Sequence, residues 1–122
     1  MAKIVLIDDD DAVRRTIVRM LEVTPHEVHE AADGDAGVAL CQSVRPDLVI
    51  TDLMMPQKEG IETIRTLKQD QPSLKILAIS GGGQSGSVDF LDMARSLGAD
   101  EGLQKPFRRA ELVEVVNRLL GV

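Results

Sequence analysis

Three short aliphatic runs and one further short strand-like run in this chain end on side chains that carry charge or a hydroxyl. Lys3–Ile7 runs into Asp8 and Asp9, and Leu48–Ile50 into Thr51 and Asp52, ahead of Pro56. Lys75–Ile79 runs into Ser80, and Gly102–Lys105 closes on its own lysine. Runs this short and without polar alternation suit strands covered on both faces. Helical patterns lie between them. Val13, Ile17, Met20 and Leu21 share one face at i, i+4, i+7 and i+8, with Asp11 the expected N-cap and the other aspartates near the positive helix end.

Glu27–Ala31 alternates weakly and reads as an edge strand. Asp33-Gly34 opens a second helix, with Gly37, Val38, Cys41 and Val44 inward, and Pro46 ends it. After Leu48–Asp52 a loop with Pro56 and Gly60 leads into a helix carrying Ile61, Ile64 and Leu67. Val88–Leu97 is helical, with Val88, Leu91, Ala94 and Leu97 inward and Gly98 as its stop. Pro106 precedes a last helix with Leu112, Val115, Val116 and Leu119. Five such strand–helix alternations with short connections imply an α/β fold: a parallel sheet with helices on both faces. No linker, repeat or charge block marks a second domain, so residues 1–122 are expected to form one domain with no output domain.

Composition narrows the function. The chain has 2 Phe and neither Trp nor Tyr, so the core must be aliphatic. A net charge of -6 disfavours nucleic acid and anionic membranes as partners. The single Cys41 excludes an internal disulfide and suits a reducing cytoplasm. The N-terminus is not a signal peptide, and no apolar run approaches the ~20 residues that span a bilayer.

In an open parallel sheet, ligands bind beyond the carboxyl ends of the strands. Asp8, Asp9, Asp52, Ser80 and Lys105 are all expected on that rim. Crowded carboxylates repel unless a cation intervenes. Mg²⁺ suits such a site, because it takes one or two carboxylates, several waters and a phosphate oxygen. Ser80 and Lys105 offer a hydrogen bond and a positive charge to that phosphate. Met54 and Met55 read as packing or loop residues, His26 and His29 as surface residues, and Cys41 as buried and inert. Gly81, Gly83 and Gly86 satisfy a dinucleotide-loop spacing, but Asp100 precedes the next strand instead of ending it, so the match is set aside.

Taken together, Ile7-Asp8-Asp9, Thr51-Asp52 with Met55-Pro56, Ser80, and Lys105-Pro106-Phe107 resemble the CheY-like receiver domain of a two-component response regulator. The resemblance covers essentially the whole chain. It implies a (βα)5 flavodoxin-like fold with strand order 2-1-3-4-5. It implies that Asp52 accepts a phosphoryl group from a sensor histidine kinase. Asp9, Asp52 and the backbone carbonyl of Met54 would hold Mg²⁺ (or Mn²⁺), with Asp8 acting through a water. Ser80 and Lys105 would contact the phosphoryl group, and the Lys105–Pro106 bond would be cis. The only chemistry implied is the domain's own phosphorylation and dephosphorylation, with readout on the fourth helix, fifth strand and fifth helix by a downstream protein. One departure stands out: Gly102 occupies the place of the family's usual Tyr or Phe, so the aromatic half of the usual switch is missing.

Three other readings compete. A relay carrier would pass the group to a histidine phosphotransfer protein. A phosphatase of haloacid-dehalogenase type wants a second aspartate two residues after the first, where Met54 stands. A flavin-binding relative lacks the aromatics to sandwich the ring.

Overall fold

Alternate residues of each central strand belong to different cores, and this divides the molecule into layers. Val5, Ile7, Val49, Ile76 and Ala78 join Cys41, Ile64 and Leu67 on one face. Ile4, Leu6, Leu48, Ile50, Leu77 and Ile79 join Ile17, Leu21, Leu112 and Val116 on the other. Side chains of a strand point to opposite faces in turn, so a continuous aliphatic run feeds both layers. The structure, a computed structural model, describes residues 1–53, 59–80, 92 and 94–122.

The strands are β1 (Lys3–Ile7), β2 (Glu27–Ala31), β3 (Leu48–Asp52), β4 (Lys75–Ser80) and β5 (Glu101–Gln104). All pair in parallel, in the order β2-β1-β3-β4-β5. Helix α1 spans Asp11–Leu21, α2 Gly34–Val44 and α3 Glu59–Asp70, and the C-terminal helix spans Arg109–Leu120. The first and last pack on one face of the sheet, α2 and α3 on the other. Residues 94–96 are helical, and Ala94 is buried as expected. Val88, Leu91 and the glycine loop lie outside the described residues. From β1 the chain steps outward to β2 and then returns past β1 to β3. The strand order reverses there, which opens a crevice beyond the ends of β1 and β3. Among the described residues no helix is long and apolar enough to cross a membrane.

Several local expectations are corrected. The cap of α1 is Asp10, not Asp11: Asp10 is extended (φ -91, ψ 110) and its carboxylate accepts from the N–H groups of Ala12 and Val13. A cap must leave helical geometry while its oxygen reaches forward. Asp11 is already inside the helix, where it pairs with Arg14 three residues on. β5 is shifted by one residue, so Lys105 follows the strand, yet its N–H still donates to the Ser80 carbonyl at 2.8 Å. His29 lies at the surface as expected, with its side chain 33% exposed, whereas His26 is half-buried in a hydrogen-bond pair. His26 Nδ1 accepts from the Ala2 N–H at 3.2 Å, and its Nε2 meets Asn117 Oδ1 at 3.1 Å. His29 bonds Glu27.

Candidate functional site

The strand tips are held level by ladder bonds that run past the strand ends. Asp8 N–H donates to the Ala31 carbonyl at 3.1 Å, and Leu53 N–H to the Ile79 carbonyl at 2.9 Å. With the Lys105–Ser80 bond, each functional tip is therefore tied to a neighbouring strand. One oxygen from each of Asp8, Asp9 and Asp52 lies within 4.8 Å of the others. Asp8 is 1% and Asp52 6% exposed, whereas Asp9 faces solvent. Lys105 Nζ stands 3.5 Å from Asp8 Oδ2 and 3.8 Å from Asp52 Oδ2. Asp8 Oδ1 accepts the Asp10 N–H at 2.9 Å.

The donor set fits a hard divalent cation. It is all carboxylate oxygen, without sulfur or imidazole, and its exposed edge leaves room for waters. The Lys105 ammonium, against Asp8 and Asp52, offsets part of the crowded negative charge. Of the residues expected on the rim, Asp8, Asp9, Asp52 and Lys105 are thus brought together. Ser80 is buried at the tip of β4, one residue past the Asp52–Ile79 pairing. The Met54 carbonyl lies outside the described residues. The Lys105–Pro106 peptide is cis. Gly102 sits in β5 opposite Ala78 and offers no ring. Burial pushes the Cys41 thiol up to about 11, so it stays protonated at neutral pH and takes no part.

Gly60, which the sequence marks only as a loop glycine, belongs to the site's frame. A Cβ there would stand 2.7 Å from the Asp52 carbonyl oxygen and 2.9 Å from the Leu53 Cα and oxygen. Those are backbone atoms and cannot swing aside as a side chain does. Gly60→Ala is therefore expected to push the start of α3 off the β3 tip, at a cost of ~1–3 kcal/mol. Urea unfolding, with Mn²⁺ titration of the same protein, checks it. A midpoint equal to the parent's would show that the helix start yields without cost.

Residues 4–117 match the family model described as the response regulator receiver domain. Response regulator MprA of Mycolicibacterium vanbaalenii is 36% identical over 118 residues, 97% of this chain and 50% of that protein. The DNA-binding dual master transcriptional regulator RpaA of Synechocystis is 33% identical over 123 residues, 98% of this chain and 49% of that one. The chain spans about half the length of these curated relatives. Among solved structures, a response regulator receiver domain protein from Clostridium thermocellum superposes with a TM-score of 0.88 at 29% identity, covering 99% of this chain and 95% of that one. A LuxR-family two-component response regulator from Aurantimonas does so with a TM-score of 0.88 at 32% identity, covering 99% and 86%. The family match begins at the second residue of β1 and ends deep in the C-terminal helix, so the chain belongs to the receiver domains of two-component response regulators.

Proposed function

We propose that Asp52 is the phosphoacceptor of this receiver and that its donor is a phosphohistidine on a sensor kinase. The observation that carries this is the trio of carboxylates with a lysine against two of them, set where the strand order reverses. Asp8 is already committed, with one oxygen on the Asp10 N–H and the other facing Lys105. Asp52 keeps more exposure than Asp8 at the same mouth. In the transfer, an Asp52 carboxylate oxygen bonds to phosphorus as the P–N bond breaks. The electron pair stays on the departing imidazole nitrogen, and an acyl phosphate remains.

Asp9 and Asp52 would hold Mg²⁺ or Mn²⁺, with Asp8 acting through a water. When bound, the cation supplies positive charge to the oxygens of the transferring group. Ser80 donates a hydrogen bond to a phosphoryl oxygen, and Lys105 pairs with another, which fixes the group without further covalent chemistry. The same positioning supports slow autodephosphorylation. MprA is named a response regulator, which favours a switch over a relay carrier. RpaA is named as DNA-binding, but half of that protein lies outside the match. On a chain of net charge -6 we place no DNA contact. With Gly102 lacking a ring, phosphorylation is read out by a route that moves no aromatic at β5.

Acetyl phosphate with Mg²⁺ should add one phosphoryl mass to the intact protein. Borohydride reduction of the acyl phosphate, followed by peptide mapping, should place it on Asp52. No added mass, or a label on another carboxylate, would refute the assignment.

A further inference from the structure

Arg14 does something that the site description leaves unused. It lies on the first turns of α1 with a side chain only 16% exposed, and its planar guanidinium serves three partners at once. One terminal nitrogen donates to the backbone carbonyl of Asp8 at 2.7 Å. The other donates to Asp11 Oδ1 at 2.6 Å, and Nε donates to Glu30 Oε1 on β2 at 3.1 Å. The hydrogen bond to Asp11, ahead of the cost of burial, pushes the guanidinium pKa further up, so Arg14 is a permanent cation.

The Asp8 carbonyl shares a rigid plane with the Asp9 N–H. Asp8 is pinned by its N–H on Ala31 and by its carboxylate on the Asp10 N–H. Holding its carbonyl as well sets the direction in which the chain leaves toward Asp9. Asp9 itself is exposed, and no described hydrogen bond or ion pair holds its carboxylate. Its approach to the other two acids is therefore a matter of backbone direction. We propose that Arg14 is a positioning residue for the cation site: by gripping the Asp8 carbonyl from α1 while anchored on β2, it aims Asp9 at Asp8 and Asp52. This rests on the reading of those carboxylates as a divalent-cation site.

Charge and position make opposite predictions here, which gives the test its edge. A cation near carboxylates weakens divalent binding by repulsion, so its removal should tighten binding if charge were its whole effect. Loss of aim should weaken binding, by about 10-fold, the low end for groups that orient metal ligands. The experiment is Mn²⁺ titration by EPR of the intact protein as parent, Arg14→Met, Arg14→Lys and Asp9→Asn, with urea unfolding of each without metal. Weaker Mn²⁺ binding in both Arg14 variants is expected, because a lysine keeps the charge but cannot reproduce a three-way planar fork. The lysine variant also serves if the methionine variant does not fold. Binding equal to or tighter than the parent's in the folded Arg14 variants would overturn the inference. A parent that takes up no Mn²⁺, or an Asp9→Asn variant that binds as the parent does, would instead overturn the cation site itself.

Discussion

Asp52→Asn should reduce phosphoryl incorporation from acetyl phosphate to background and at the same time raise the urea midpoint measured without metal. The first half follows from removing the nucleophilic oxygen anion: an amide of the same shape cannot form the acyl phosphate. The second half follows from the crowding. The Asp52 carboxylate lies within 4.8 Å of those of Asp8 and Asp9 and 3.8 Å from the Lys105 ammonium. At an effective dielectric near 20, each contact at such separations is worth roughly 3–4 kcal/mol. Among the described residues these make two repulsions and one attraction, and screening at exposed Asp9 weakens one repulsion. Burial of Asp52 adds a further penalty on its charge. The balance favours the neutral side chain by about 1 kcal/mol. A variant that is more stable and yet inert separates chemistry from folding. Persistent labelling would move the acceptor elsewhere, and a lower midpoint would show that the pairing with Lys105 outweighs the crowding.

Lys105→Met should change stability in the opposite direction. Among the described residues Lys105 is the cation on the Asp8 carboxylate, which is closed from solvent. Without it a buried charge loses its partner. Breaking a fully buried pair costs ~3–5 kcal/mol. The contacts at 3.5 and 3.8 Å are longer than tight hydrogen bonds, and the lysine side chain is 21% exposed. The expected loss is therefore ~1–3 kcal/mol. Millimolar Mg²⁺ should restore much of it, because the cation replaces the missing positive charge. Labelling by acetyl phosphate should slow by about 100-fold, the low end for loss of one preorganised electrostatic partner. Urea titrations with and without Mg²⁺, together with the labelling rate, measure both. Equal destabilisation at saturating Mg²⁺ would show that Lys105 acts through packing of its stem instead of its charge.

Both results bear on how legible the site was in the chain itself. Asp8, Asp9 and Asp52 stood out because each follows an aliphatic run, and Lys105 because it closes the last strand-like segment; a doubly covered parallel sheet brings such ends to one edge. That Lys105 stands against the Asp8 and Asp52 carboxylates was not legible, because the sequence placed it only on the shared rim. The choice between Asp10 and Asp11 as cap turned on one backbone conformation, which four successive aspartates do not reveal. His26 meets Asn117 across 91 positions, a pairing no local pattern carries.

Periodicity and strand-end chemistry thus sufficed, from residues alone, for the layers of this molecule, the order of its elements and the identity of the acidic trio, because both are written in short-range spacing. The aim of the site came from folding. Arg14 grips a carbonyl from a neighbouring helix, and Gly60 lets α3 start against the Asp52 backbone. Those contacts join residues distant along the chain or depend on backbone geometry, and they exist only once the helices have docked on the sheet.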